Sequence, residues 1–205
     1  MNWKGILLVL SAPSGAGKTS LCQAAVKQFP RLMHSVSYTT RPPRAGEVHG
    51  RDYCFVDEQT FESMKREGEF IEWARVHGHL YGTSKKMLYE IQKQGSDAIL
   101  DIDAQGAQKL MSLKELNTVF VFVVTPTFSE LERRLRNRRS DPEEEIQRRL
   151  EKAREEIAQF EKYDYLLVND DFDRALEDLT SILTASRCSV KQVDHQWLKK
   201  EFLKG

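Results

Sequence analysis

The chain has 205 residues, which is enough for one domain with a full hydrophobic core. Its 31 Lys and Arg residues balance its 31 Asp and Glu residues, so the protein has no overall field that would attract nucleic acid or an acidic membrane. Three scattered cysteines disfavour a disulfide framework or a zinc site, and the longest apolar run is too short to span a membrane, so we expect a cytoplasmic protein.

Four short apolar runs predict the strands of a parallel sheet. None of them alternates with polar residues, which is typical of strands that are buried on both faces. Helical segments lie between and after them, and this order of strands and helices predicts an α/β fold. The runs are ILLVL at 6–10, AILDI at 98–102, VFVFVV at 119–124 and YLLV at 165–168.

A glycine-rich turn and a helix follow the first predicted strand. SAPSGAGKTS at 11–20 matches the phosphate-binding signature G-x-x-x-x-G-K-[ST], except that Ala12 replaces its first glycine. In such a turn, backbone N–H groups bind phosphate oxygens, an exposed Lys18 adds a positive charge, and the Thr19 hydroxyl can ligate magnesium. An accidental Gly-Lys pair is disfavoured, because strand, turn and helix occur in the required order. The predicted phosphate-binding residues are Ala12, Pro13, Ser14, Gly15, Ala16, Gly17, Lys18 and Thr19.

Residues 34–83 interrupt the order of strands and helices, and they predict a small β-rich insertion. The segment contains several short extended pieces and one short helix around 61–66. Within it, TTRPPR places Arg41 and Arg44 on a stretch stiffened by proline, where guanidinium groups can bind phosphate oxygens. The alternative is a basic surface loop.

The second apolar run ends with two acidic residues. Asp101 and Asp103 are two positions apart, and we therefore expect them on the same face at the carboxyl end of a parallel strand. Ligands bind at that end of such sheets. The alternative is that each acid simply caps a turn.

Two basic helices are predicted after the third run. The first begins with Thr127 and Glu130 at capping-box spacing, and Arg134 and Arg138 fall on one flank of its apolar face. Arg133, Arg136, Arg139 and Arg148 are expected to be surface charges.

The second basic helix has Asp141 as its predicted N-cap and Pro142 at its first helical position. Its apolar stripe, at 146, 150, 153 and 157, is bordered by Arg149. Charged helices are most often solvated faces, but a lid that closes over a nucleotide brings arginines to the transferred phosphoryl group.

The fourth run is followed by Asn169 and Asp170, and Asp170 or Asp171 is expected to cap the next helix. The segment 187–205 predicts an extra helix, whose Trp197, Leu198 and Phe202 would pack on the domain or on another subunit.

Six segments of the sequence, in this order, resemble guanylate kinases from residue 6 to about residue 186. The resemblance implies that the protein transfers a phosphoryl group from ATP to GMP, and to dGMP, in purine nucleotide metabolism. It implies a P-loop core (1–33, 94–126 and 163–205), a GMP-binding region (34–93) and a helical lid (about 127–162). The segments are SAPSGAGKTS, SVSYTTRPPRAGEVHGRDYCFV, EFIEWARVHGHLYGTS, LDIDAQGAQ, ERRLRNRRSDPEEEIQRRL and YLLVNDDFDRAL.

The same resemblance implies roles for individual residues. Guanine presents two adjacent donors, N1–H and the N2 amino group, which a carboxylate matches with two acceptor oxygens. The implied guanine-binding residues are Glu72, Ser37 and Thr83, and the implied clamp on the GMP phosphate is Arg41, Arg44, Tyr53 and Tyr81. The implied cations at the transferred phosphoryl group, besides Lys18 and Arg44, are Arg134, Arg138 and Arg149.

Further implied roles concern ATP and magnesium. Asn169 and Asp170 would line the adenine side of the ATP site. Of Asp101 and Asp103, one would hold a magnesium-bound water and the other would face the guanine or the ribose, and the sequence does not divide these roles. Thr19 would ligate Mg²⁺ directly.

Two other functions compete with this interpretation. The first is a non-catalytic interaction module of guanylate kinase type, which is disfavoured because the P-loop and the guanine-binding residues are all present. The second is a P-loop kinase for another small phosphate acceptor, which would not need Glu72, Ser37 and Thr83 together. Neither nucleic acid nor a membrane is expected as a partner, and the oligomeric state is left open.

Overall fold

The computed structural model describes residues 5–76, 78–113, 117–137, 142–190 and 195–203. The strands in this part of the chain are β1 (Leu7–Ser11), β2 (Leu32–His34), β3 (Tyr38–Thr39), β4 (Cys54–Phe55), β5 (Phe70–Val76), β6 (His79–Ser84), β7 (Asp97–Asp101), β8 (Thr118–Val124) and β9 (Tyr165–Val168). The helices are α1 (Lys18–Gln28), α2 (Glu58–Arg66), α3 (Lys85–Lys93), α4 (Ala104–Met111), α5 (Phe128–Arg136), α6 (Glu143–Ile157), α7 (Phe172–Arg187) and α8 (His195–Phe202), with a 3₁₀ turn at Phe160–Lys162.

The central sheet is parallel, as the four apolar runs predict. Its strand order is β2-β7-β1-β8-β9, and every neighbouring pair in it is parallel. Strand β2 was not predicted, because its three residues, LMH, form no apolar run. The predicted α/β fold with a parallel sheet flanked by helices is confirmed.

Helices cover both faces of this sheet. Successive residues of β1 point to opposite faces, so Leu8 and Leu10 join one apolar core while Leu7 and Val9 join another. Apolar residues of α1, α5, α6 and α7 complete the first core, and α3 and α4 contribute to the second. The carboxyl ends of β1 and β7 are thereby fixed between two packed layers.

A second, smaller sheet forms the predicted β-rich insertion. Its order is β4-β3-β6-β5, and β5 and β6 form an antiparallel pair. Helix α2 packs on it through Phe61, which stacks on Phe70 at 4.5 Å between ring centroids. The helix begins at Glu58, three residues before the predicted start, because the Asp57 side chain accepts a hydrogen bond from Thr60 N (2.7 Å).

The two basic helices form, and their first turns differ in how they are capped. Thr127 caps α5 by accepting a hydrogen bond from the backbone N–H of Glu130 (3.1 Å), as predicted. In α6, Pro142 is the N-cap residue with extended backbone (ψ 159°), so its prediction as the first helical residue is wrong by one position. Asp141, the predicted cap, and Arg138 lie outside the described residues.

The C-terminal helices differ in how they pack. Helix α7 is capped by Asp171, whose side chain accepts from Arg174 N (2.9 Å), and it packs on the sheet. The predicted extra helix is α8, but Leu198 and Phe202 are exposed on it, 38% and 68% respectively. None of the helices in the described ranges is long and apolar enough to cross a membrane.

Candidate active site

A cavity opens at the carboxyl ends of β1 and β7, between the glycine-rich turn, the small sheet and α6. It is the place where an α/β sheet normally binds its ligand. The predicted site residues that line it are Ala12, Pro13, Ser14, Gly15, Gly17, Lys18, Thr19, Ser37, Arg44, Tyr53, Glu72, Tyr81, Asp101, Asp103 and Arg149. The other predicted residues, Ala16, Arg41, Thr83, Arg134, Asn169 and Asp170, lie behind or beside these walls.

Lys18 is held at the floor of the cavity by the end of β7. Its Nζ lies 2.6 Å from Asp101 Oδ1 and donates to the carbonyl oxygen of Ile102 (2.6 Å). The Thr19 hydroxyl donates to the other Asp101 oxygen, Oδ2 (2.7 Å). Burial alone would raise the pKa of Asp101, but the charge of Lys18 and these hydrogen bonds lower it below its usual value. Asp101 is therefore an ionised carboxylate that positions both the lysine and the threonine.

The predicted exposure of Lys18 is wrong. Only 17% of its side chain is exposed, and burial alone would lower its pKa. The ion pair with Asp101 reverses this effect and raises the pKa, so Lys18 keeps its charge inside the protein. The partner is 83 positions away in the sequence, and the local pattern of a loop–helix junction contains no sign of it.

Asn169 supports the glycine-rich turn from behind. Its side-chain Nδ2 donates to the backbone carbonyl oxygen of Ala16 (2.7 Å), and its backbone carbonyl oxygen accepts from Arg134 Nη2 (3.0 Å). Gly17 has φ 92°, and a Cβ there would lie 2.3 Å from Asn169 Nδ2, so only glycine fits. Asn169 and Arg134 thus act on the shape of the turn rather than on the cavity surface, and Asp170 is exposed.

The base-binding residues predicted on β5 and β6 form a buried polar pair. Glu72 is 5% exposed, and its Oε1 accepts a hydrogen bond from the Thr83 hydroxyl (2.5 Å). Its other oxygen, Oε2, lies against α4, where a Cβ on Gly106 would be only 2.7 Å away. Burial raises the pKa of Glu72 to about 7, and the nearby charge of Asp103 acts in the same direction. Glu72 is therefore a carboxylate whose charge is only weakly compensated within the protein.

The two predicted phosphate-clamp arginines are placed differently. Arg44 lines the cavity. Arg41 is 9% exposed, and its Nη2 contacts both carboxylate oxygens of Glu47 (2.8 and 2.9 Å). Glu47 also accepts from the backbone N–H of Arg44 (2.7 Å), so a single carboxylate holds the side chain of Arg41 and the backbone of Arg44. Sequence reasoning missed Glu47.

Two tyrosines stand beside these arginines at the cavity wall. The Tyr53 and Tyr81 rings meet edge to face, 5.9 Å apart, and the Arg41 guanidinium lies 5.4 Å from the Tyr53 ring centroid. Burial raises the pKa of Tyr53 to about 12, so its phenol remains a hydrogen-bond donor at neutral pH.

Asp103 both lines the cavity and caps a helix. Its Oδ1 accepts from the backbone N–H of Gly106 (3.0 Å) at the start of α4. Asp103 thus caps a helix rather than a turn, and its place in the cavity wall leaves it available to a ligand.

Helix α6 supplies the remaining wall. Arg149 donates to the Ser14 hydroxyl (2.8 Å) and so joins α6 to the glycine-rich turn. Lys152 and Glu156 also line the cavity, and neither was predicted. Their spacing of three and seven residues from Arg149 places all three on one face of a helix, and this signal was available in the sequence.

The chain is similar to known proteins over nearly its whole length. A family profile described as Guanylate kinase matches residues 4–186. The guanylate kinase of Geobacter metallireducens is 51% identical over 193 residues, covering 94% of this chain and 95% of the relative. That of Syntrophotalea carbinolica is 52% identical, covering 94% and 91%. A crystal structure of guanylate kinase from Anaplasma phagocytophilum has a TM-score of 0.82 and 32% identity, covering 98% of this chain and 97% of the other.

Proposed function

The chain belongs to the guanylate kinase family, and we propose that its central cavity transfers a phosphoryl group from ATP to GMP. The single observation that carries this assignment is that one cavity is lined by both the P-loop lysine and a buried carboxylate, Glu72. The same cavity therefore has a group that can bind the phosphates of the donor, ATP, and a group that can bind the base of the acceptor, GMP. The products are ADP and GDP, and dGMP is a second acceptor.

Glu72 and Thr83 select the base of the acceptor. One Glu72 oxygen is hydrogen-bonded by Thr83, and the carboxylate retains acceptor capacity for guanine N1–H and the N2 amino group. Ser37, buried at the same wall, can donate to guanine O6. Adenine would present an unprotonated N1 to the carboxylate and leave a buried charge unpaired, which disfavours AMP by several orders of magnitude, roughly 10⁴.

The acceptor phosphate is bound at the other end of the cavity. Arg44, Tyr53 and Tyr81 line that end and supply donors for phosphate oxygens. Glu47 holds Arg41 beside this group, and Arg41 would supply a further guanidinium to the same phosphate. The phosphate oxygen of GMP is already a nucleophile at neutral pH, so the reaction needs no general base.

Transfer depends on cations that surround the migrating phosphoryl group. Lys18 from the P-loop and Arg149 from α6 converge on the cavity, and Arg149 is already in contact with Ser14 of the P-loop. Arg134 assists by holding Asn169 behind the turn, and Arg138 is the remaining arginine of this proposal. Residues 127–162 form the lid, 34–93 the GMP-binding region, and the rest of the chain the core.

Magnesium fits the floor of the cavity. The Thr19 hydroxyl and the Asp101 carboxylate are adjacent hard oxygen ligands, 2.7 Å apart, at the start of α1. Among the described residues no group of three or more His, Cys, Asp or Glu side chains could hold a metal ion, which suits an ion bound largely by nucleotide phosphates and water. When bound with ATP, the ion would neutralise charge on the phosphates, and Asp101 would orient its water ligand while Asp103 faces the nucleoside.

A coupled ADP-release assay tests the proposal. Purified protein is supplied with ATP and, in turn, GMP, dGMP, AMP, CMP, UMP and ribose phosphates. We expect turnover with GMP and dGMP that exceeds turnover with the other acceptors by at least about 10³-fold. Turnover with a ribose phosphate alone would identify a different P-loop kinase, and no turnover with any acceptor would support an interaction module.

A further inference from the structure

The face of α6 toward the cavity carries a carboxylate to which the proposed reaction assigns no role. Glu156 lines the cavity, and only 12% of its side chain is exposed. The neighbouring Glu155 is exposed on the other side of the same helix. A buried acid that faces a ligand cavity costs free energy unless it binds something there.

Glu156 lines the same cavity as Glu72, Asp103 and Lys18. Its carboxylate is close enough to feel the charge of Asp103, which also acts on Glu72 at the base end. It also feels the positive charge of Lys18 in the P-loop. An acceptor nucleotide whose base lies at Glu72 and whose phosphate lies toward the P-loop has its pentose between these two groups, within the cavity that Glu156 lines.

The carboxylate also has acceptor capacity available. Its ion pair with Lys152, one helical turn earlier, is 3.7 Å long, which is beyond hydrogen-bond distance. A carboxylate has about four lone-pair positions, and this contact leaves most of them for a ligand. Sugar hydroxyl groups are donors that match it, and dinucleotide-binding folds use an acidic side chain in this way for the ribose 2′-hydroxyl.

We propose that Glu156 accepts a hydrogen bond from the 2′-hydroxyl of the acceptor nucleotide and makes the enzyme favour the ribonucleotide over the deoxyribonucleotide. The proposal rests on the proposed function, since it concerns the sugar of the same acceptor. Lys152 is a positioning residue that keeps the carboxylate ionised and directed into the cavity: burial raises the pKa of Glu156, and Lys152 opposes that effect.

The test compares GMP with dGMP in the variants Glu156→Gln and Glu155→Gln, with ATP saturating. Gln keeps the size of the side chain but replaces a charge-assisted hydrogen bond by a neutral one, so kcat/KM for GMP should fall about tenfold. The value for dGMP, which lacks the 2′-hydroxyl, should stay within about twofold, and it reports that the variant is folded. Glu155→Gln should change neither value.

Two results would overturn the inference. An equal fall in kcat/KM for GMP and dGMP would show that Glu156 acts on the structure of the lid or on the phosphates. If kcat/KM changed for neither nucleotide, the sugar would not contact Glu156. Failure of the proposed function is a separate outcome, because then the unmodified protein would phosphorylate neither nucleotide.

Discussion

Replacing Glu72 by Gln should stabilise the ligand-free protein at alkaline pH and, in the same molecule, remove most of its activity toward GMP. The reason is that Glu72 is 5% exposed, and burial raises its pKa from 4.5 to about 7. Between these two pH values the native protein holds a proton that the unfolded chain has released. The contribution of Glu72 to the free energy of unfolding is therefore largest below pH 4.5, and it is lost as the pH rises from 4.5 through 7.

The size of this effect follows from the two pKa values. At about 1.36 kcal/mol per pKa unit, the ionisation of Glu72 removes roughly 2–3 kcal/mol from the stability of the protein between pH 5 and pH 8. Gln at the same position does not ionise, and the Thr83 hydroxyl can donate to its amide oxygen as it does to the carboxylate. The variant should thus gain stability relative to the unmodified protein by about that amount over the same interval.

The cost of the substitution appears when GMP binds. The amide NH₂ of Gln is a donor, and it would face guanine N1–H or the N2 amino group, which are also donors. One charge-assisted hydrogen bond to the carboxylate is therefore lost. We expect kcat/KM for GMP to fall by about 10²–10³-fold, which corresponds to roughly 3–4 kcal/mol. The affinity for ATP should not change, because the P-loop does not contact this side chain.

Two measurements on the same preparation check the prediction. Urea unfolding at pH 5 and pH 8 gives the stability difference, and initial rates between pH 5.5 and 8.5 give kcat/KM for GMP, which should decline below pH 7 in the unmodified enzyme as Glu72 of the free protein is protonated. The exposed Glu69→Gln serves as control. If Glu72→Gln phosphorylates GMP as well as the unmodified enzyme, Glu72 does not bind the base.

Three further substitutions test other walls of the cavity. Lys18→Met should lower kcat by about 10²–10³-fold and, because Asp101 loses its ion pair, destabilise the fold by roughly 1–3 kcal/mol; a folded variant with normal turnover would contradict the phosphate site. Arg149→Ala should lower kcat about 10²-fold with little change in KM for GMP, whereas Arg148→Ala, at an exposed position, should change neither constant. If both variants had the same kcat, Arg149 would have no specific role in phosphoryl transfer. Glu47→Gln should raise KM for GMP about tenfold and leave KM for ATP unchanged, because it weakens the support of Arg41; an unchanged KM would mean that this support is dispensable.

The sequence predicts the central sheet well because the information is local. Each of the four runs is long enough to form a strand without help from a distant residue, and the P-loop follows its strand directly. The predicted burial on both faces is wrong for the fourth run, because β9 lies at the edge of the sheet with Tyr165, Leu166 and Val168 exposed. Strand β2 escapes prediction because three residues carry no periodicity, and it exists through pairing with β7. The position of Pro142 is wrong by one residue because helix ends depend on the preceding backbone.

Side-chain partners are harder to predict than elements. The burial of Lys18 depends on Asp101 from a strand 83 residues away, and the resting position of Arg41 depends on a loop that returns Glu47 to it. The resemblance assigns Asn169 to the adenine side of the ATP site, and the sequence gives no sign of the hydrogen bond from its amide to the carbonyl oxygen of Ala16. In each case the residue type in the sequence allows several partners, and only tertiary structure selects one.

Under the proposed function, the charged side chains that line the cavity orient the acceptor. Lys18, Arg44 and Arg149 would face its phosphate, and the acid beside Lys18, Asp101, is already paired with that lysine. Glu72 and Asp103 would face its nucleoside. A nucleotide that entered in reverse would place its phosphate, with about two negative charges, against two carboxylates in a low-dielectric enclosure, where repulsion is strong. The chain as a whole has no net charge. Specificity for the direction of binding therefore arises from how opposite charges are distributed within one cavity, in a protein whose overall field favours neither end.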